Sequence, residues 1–229
     1  MRRLGLFMLL SVFLSGCNNI WMPGMHTIID WVDFVKWDGV EYDAIHTGAL
    51  ADEKFIGKKI GEVKFKVDEN VTNSHYKTKD GDAAFHEKGT ELYSIKNEPG
   101  LIAVKVSNEL NGYRVYRSGE GYDDKYDFKN VPLESVKKIE IYKSEWEKIN
   151  EVKNPKEVTV FLNTLKNSKE EPGFQYDISK GDPIFFDIVL YTNEPVAYKY
   201  FIQFDGTSYF WAPNDIAVLP KEIGTFFMK

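Results

Sequence analysis

The chain has 229 residues, 15% of them aromatic, and carries 29 Lys or Arg against 35 Asp or Glu, a net charge of −6. That balance excludes the basic footprint nucleic-acid binding needs and disfavours lying flat on an anionic lipid surface. A single cysteine excludes an internal disulfide, a CxxC redox centre and a multi-thiolate metal site.

The N-terminus reads MRRLGLFMLLSVFLSGC. Arg2 and Arg3 precede an uncharged run from Leu4 to Leu14, well short of the roughly 20 apolar residues a spanning helix needs. A basic start, a short apolar core and then small Ser15 and Gly16 are the layout of a secretory signal, predicted over 1–16. Leu14-Ser15-Gly16-Cys17 resembles the lipobox of bacterial lipoproteins. The resemblance implies cleavage between Gly16 and Cys17, a diacylglyceryl group on the Cys17 thiol, and commonly a further acyl chain, such as palmitate, on the new amine. Loss of Arg2 and Arg3 leaves 27 basic against 35 acidic residues, a net charge of −8. Residues 17–30 then form a lipidated tether, broken at Pro23-Gly24.

From Trp31 the signals are β. Asp38-Gly39 lies between two aromatic, β-branched runs and predicts a hairpin. In GEVKFKV, Val63, Phe65 and Val67 alternate with charged residues, as in a half-buried strand. AAFHEKGTELYSI predicts strand, turn at Lys88-Gly89, strand; LIAVKVS and GYRVYRS follow, with a turn at Asn111-Gly112. These strands predict a small antiparallel sandwich or barrel-like module over 31–118. Polar, turn-rich residues 119–132 join it to an α+β module over 133–229.

In that second half KKIEIYKS is a strand. Asn154-Pro155 opens a helix whose Val158, Phe161, Leu162 and Leu165 form one apolar stripe. PIFFDIVLYT and VAYKYFIQF are strands joined by Asn193-Glu194-Pro195, the first reading as central. TSYFW is a further strand, and LPKEIGTFFM a short terminal amphipathic helix. The fold class is therefore α+β and mostly β, its second sheet antiparallel with helices on one face.

No nucleophile motif or phosphate loop is present. His75 and His86 flank a turn with Asp80 and Asp82, a two-histidine, one-carboxylate metal pattern that ordinary loop histidines explain equally well. Asp123, Asp124 and Asp127 lack EF-hand spacing and read as solvated acids. No catalytic residue, cofactor or metal is therefore assigned. Asp187 interrupts an apolar strand, where a carboxylate needs a partner. Lys199 is the nearest candidate in a hairpin register, and a one-residue slip would bring Tyr200 opposite instead. By alternation Tyr198, Tyr200, Ile202 and Phe204 share a core face, which leaves Asp187, Phe201, Tyr209 and Trp211 as candidate ligand-binding residues.

WDGVEYDA, IGKKIGEVKFKV and GDAAFHEKGTELYSIKN together resemble a loose group of uncharacterised lipoproteins of low-GC Gram-positive, Bacillus-like bacteria. The likeness covers residues 33 to 106 and more weakly the ending FWAPNDIAVLPKEIGTFF. His86 stands where that group more often has a hydrophobic residue. The resemblance implies a membrane-anchored surface protein and carries over no catalytic residue. The expected role is a non-enzymatic binding module on the extracytoplasmic face of the cell membrane, held there by lipid on Cys17. Its partner would be a small envelope ligand or an envelope protein. The alternative is an envelope hydrolase whose carboxylates meet only in three dimensions.

Overall fold

Asp38 and Gly39 both adopt left-handed backbone, with φ of 51° and 76°, the two-residue turn that matches strand twist. They join β1 (Phe34–Trp37) to β2 (Val40–Ala44) in the hairpin predicted, with Trp37 opposite Val40. The strands that follow are β3 (Gly48–Leu50), β4 (Ile56–Glu62), β5 (Phe65–Lys66), β6 (Asp82–Ala83), β7 (Glu91–Ile95), β8 (Glu98–Lys105) and β9 (Tyr113–Ser118). The computed structural model describes residues 29–119, 124–179 and 181–227. The expected signal peptide, Cys17, the tether up to residue 28 and Asp123 lie outside those residues.

The first sheet has eight strands in the order β4-β7-β8-β9-β2-β1-β6-β5, antiparallel except for the parallel pair β5–β6. It curls into a half-barrel, and the chain shows why. The opposite edges of the sheet, β4 and β5, are separated in sequence only by Val63 and Lys64, so the edges must lie close together. Across the curl Gly61 on β4 meets the Trp37 ring so closely that a Cβ there would sit 2.0 Å from it. Val35, Val63, Leu92, Ile102, Val104 and Tyr116 fill the inside. The single strand expected through GEVKFKV is therefore broken: Val63 and Val67 are buried as alternation requires, but Phe65 is exposed. At the break, Val63 bonds back to Thr90 and Lys64 forward to Gly81.

The second half contributes β10 (Lys138–Lys143), β11 (Glu147–Val152), helix α1 (Pro155–Lys166), β12 (Lys169–Glu170), β13 (Ile184–Tyr191), β14 (Val196–Phe204), β15 (Tyr209–Trp211) and β16 (Ala217–Leu219). The second sheet runs β11-β10-β13-β14-β15-β16-β12, all antiparallel. Asn154 caps α1, its side chain accepting from the Lys156 amide at 2.9 Å, with Pro155 in the first turn. Val158, Phe161, Leu162 and Leu165 are the helix residues buried, as the stripe predicts. The terminal helix is instead a 3-10 run, Lys221–Phe226, which still buries Ile223.

The halves share one core. β3, from the first half, pairs with β14 of the second sheet. Ile95, Ala103 and Val115 of the half-barrel wall pack into the cluster that holds Phe161, Ile188, Tyr198 and Trp211. β8 and β9 are thus covered on both sides, Val104 and Tyr116 facing the half-barrel and Ala103 and Val115 the shared core.

Candidate functional site

β14 has two partners along one edge: β3 beside Val196–Tyr198, and β15 beside Gln203 and Phe204. Between them the edge is open. The Lys199 amide donates to the Thr47 carbonyl at 2.9 Å, so odd-numbered backbone groups of β14 point toward this edge. Phe201, two residues on, directs its amide and carbonyl the same way, where neither β3 nor β15 reaches.

A chamber of about 190 Å3 fills the opening, lined by His46, Thr47, Asp127, Asp187, Lys199 and the aromatic rings of Phe128, Tyr200, Phe201 and Trp211. A larger chamber of about 650 Å3 adjoins it, with Asp127, Phe128, Trp211 and Pro213 common to both. Leu165 and Ser168, at the end of α1, close its far side. Phe128 meets Trp211 edge-on at 4.7 Å, and the Trp211 indole N–H donates to the Ser168 hydroxyl at 2.9 Å. These contacts fix the partition between the chambers.

Of the four residues expected to bind a ligand, the structure brings three together. Asp187, Phe201 and Trp211 line the small chamber. Phe201 is 44% exposed and stands beside Phe185 at 5.8 Å, whereas Trp211 is 1% exposed and offers only its chamber-facing surface. Tyr209 departs from expectation: it is buried, stacked between Phe204 at 4.4 Å and Phe227 at 5.2 Å. The 3-10 run at the C-terminus brings Phe227 onto it, a contact local alternation does not encode.

Asp187 also differs from expectation in its partner. The register places it opposite Phe201, with Lys199 opposite Val189. The Lys199 ammonium turns away, 3.7 Å from Glu109 and 5.5 Å from the Trp146 ring. Burial pushes the Asp187 carboxyl above its ordinary range, partly offset by the attraction of Lys199.

The histidine pattern dissolves. His75 is exposed, while His86 is buried with Nε2 2.6 Å from the Tyr116 hydroxyl. Because that hydroxyl donates to Asp33 at 2.8 Å, its oxygen is left to accept, which puts the His86 proton on Nε2. Burial lowers the His86 pKa, against the opposing pull of Asp33. Asp80 accepts from the Gly39 amide, and Asp82 from Tyr76 and the Lys79 amide. Asp124 and Asp127 lie 3.4 and 3.6 Å from Lys129. Among the described residues no group of three or more His, Cys, Asp or Glu side chains could hold a metal.

A second polar cluster sits beyond β13. Glu140 is buried between Lys138 at 2.9 Å and Lys148 at 3.1 Å, and also accepts from the Tyr142 hydroxyl. Burial alone would raise its pKa, but the tyrosine hydroxyls and the two ammonium groups outweigh it and hold the carboxyl at about 2. A depressed folded pKa stabilises the fold above the unfolded value and loses that contribution as pH falls through the folded value. Glu140→Gln is therefore expected to be less stable than the parent at pH 7. The gap should close between about pH 5 and pH 2 when urea unfolding is followed across that range.

No protein-family model matches the chain, and no curated protein or solved structure is significantly similar to it. The site residues that sequence reasoning missed are His46, Thr47 and Phe128. Each is ordinary in its own stretch, and only the β3–β14 pairing and the return of segment 124–130 against β14 bring them to the opening.

Proposed function

We propose that the protein is a lipid-anchored extracytoplasmic binding protein that takes a small cell-envelope ligand into the two-chambered cleft beside β14. One observation carries this reading: the opening in the second sheet at Phe201, whose backbone neither β3 nor β15 pairs among the described residues, with Asp187 and several aromatic residues lining the same concavity. Pockets with mostly apolar walls and a few convergent polar groups are the usual form of a small-ligand site. The lipobox-like Leu14-Ser15-Gly16-Cys17 supports the location.

Ala212→Trp tests the reading, because Ala212 is exposed and lines the small chamber. An indole there should fill the chamber without entering the core. In native mass spectrometry after incubation with a small-molecule extract of the host's envelope, the parent should retain a component that the variant does not. Equal thermal midpoints for the two would show that the fold is intact. An extract that leaves the parent bare, or equal retention by both proteins, defeats the proposal.

A second reading, the envelope hydrolase, draws on one specific observation: Asp127 and Asp187 line the same small chamber from different elements. Carboxyl pairs across a cleft are the machinery of glycoside hydrolysis. Its signature would be turnover of an envelope glycan that both Asp127→Asn and Asp187→Asn abolish.

A further inference from the structure

We infer that the aromatic end of the half-barrel formed by Trp31, Tyr76 and Phe65 is a surface that rests on a lipid bilayer. The inference depends on the lipid-anchored reading above and adds to it how the anchored body sits.

The patch is built on the outer side of β1, β5 and β6. Val35 and Ala83 face the inside of the half-barrel, so their neighbours Phe34 and Ala84 face out. Phe34, Ala84 and Val67 form a small buried cluster there, separate from the other core clusters. Trp31, Val71 and Tyr76 cover it without being fully buried themselves. The rings then run on from one to the next, Trp31 to Tyr76 edge-on at 6.4 Å and Tyr76 to Phe65 at 6.4 Å. Phe65 is 38% exposed on the edge strand of the sheet, and Val32, next to Trp31 in the chain, is 70% exposed.

The polar tips fit a headgroup layer. The Tyr76 hydroxyl turns inward and donates to buried Asp82 at 2.8 Å, which leaves its ring to the surface. The Trp31 indole N–H has no partner among the described residues. No fully buried side-chain nitrogen or oxygen lacks a partner, so that N–H reaches the surface. An apolar ring body with a wet N–H is the side chain favoured where hydrocarbon meets water. The Lys79 ammonium lies 5.7 Å over the Tyr76 ring, on a stem long enough to run along apolar surface with its charge in water.

What covers the patch follows from the chain that leads into it. Between Arg3 and Asp30 the sequence holds no Lys, Arg, Asp or Glu, and after Cys17 it includes Ile20, Trp21, Met22, Met25 and Ile28. Residues 18–28 can span at most about 40 Å, so lipid on Cys17 holds Trp31 within that order of distance from the bilayer. A tether of this length gives the surface an effective concentration of about millimolar. That fills a contact too weak to hold by itself: the acyl chains retain the protein, and the patch orients it. Charge does not decide the contact, because residues 64–90 carry five Lys against five Asp or Glu.

The test uses the full-length lipidated protein in phosphatidylcholine vesicles that contain a headgroup-level nitroxide lipid. With the Cys17 thiol acylated, an introduced cysteine is the only one a fluorophore can label. Lys77→Cys places the label beside Tyr76, and Val160→Cys places it on the exposed face of α1, which packs on the shared core instead. Quenching at 77 is expected to exceed that at 160 severalfold, at low and at high salt alike. Val32→Gln combined with Phe65→Gln, both at exposed positions, should bring the two labels level with the thermal midpoint unchanged. Equal quenching at 77 and 160 in the parent, or a difference that the double variant leaves intact, would overturn the inference. So would a label at 77 shielded from aqueous iodide in host membranes but not in lipid vesicles, which would assign the patch to a protein partner. In each of those cases the protein still stays on the vesicles through its lipid. A chain whose Cys17 carries no lipid by intact mass, and which washes off the vesicles, would remove the anchor and this inference with it.

Discussion

Asp33→Ala is expected to destabilise the fold by about 3–5 kcal/mol, the loss seen when one member of a buried ionic group is removed and the rest stay behind. Asp33 is 7% exposed and just precedes β1. One of its oxygens accepts from the Tyr116 hydroxyl at 2.8 Å and the other from Arg114 at 2.9 Å. Arg114 continues the chain to Glu109 through Nε at 2.8 Å and a second contact from its terminal nitrogen, and Glu109 reaches Lys199 on β14. His86 caps the other end on Tyr116. Alanine at 33 would strand the Tyr116 hydroxyl, which has no access to water, beside a guanidinium with one counter-ion fewer. Asp33→Asn should lose less, because the amide keeps one acceptor while setting its NH2 against a donor. Urea midpoints at constant m-value would measure both losses. A loss below about 1 kcal/mol for the alanine variant, the level of an exposed pair, would show that the network does not act as a unit. The network crosses from the half-barrel to β14, so Asp33→Ala should also loosen the wall of the ligand chamber.

The parts of the fold that were readable in the sequence are those governed by neighbours in the chain. The Asp38-Gly39 hairpin follows from two residues that tolerate positive φ. The boundaries and buried face of α1 follow from Asn154, Pro155 and a 3.6-residue period. What stayed hidden depends on distant partners. β3 is three residues of Gly-Ala-Leu with no alternation to announce it, and it becomes a strand because Thr47 and Ala51 bond to the backbone of β14 and the residue before it. β11, with the sequence EKINEV, is a polar edge strand without regular apolar alternation, and β12 and β16 are two and three residues long. The curl of the first sheet is set by how few residues separate its two edges, which no local propensity reports. The site shows the same division. Asp187 stands out in the sequence because burial penalises a carboxylate inside IFFDIVL. Phe128 and Thr47, which line the same chamber, lie 59 and 140 positions from it and carry no local mark of their role.

Cys17→Ser is expected to abolish incorporation of labelled fatty acid into the protein and to shift it out of the stably membrane-bound fraction. The physical ground is additive. Burial gains about 0.8 kcal/mol per CH2, so a single short acyl chain binds reversibly while two chains anchor stably. A serine hydroxyl in place of the thiol leaves nothing for the diacylglyceryl group to attach to, and the uncharged run from Leu4 to Leu14 is too short to span in its stead. The body that cleavage before Cys17 would leave, with 27 basic and 35 acidic residues, would gain little from an anionic surface and should not remain there by charge. Its folding should be unaffected: among the described residues the packing at the N-terminal end is that of Trp31, which meets Phe34 at 6.0 Å and Tyr76 at 6.4 Å. The thermal midpoint of the variant should therefore match the parent's. Membrane retention and label uptake equal to the parent's would remove the anchor from the proposal while leaving the cleft to be judged by its own binding data.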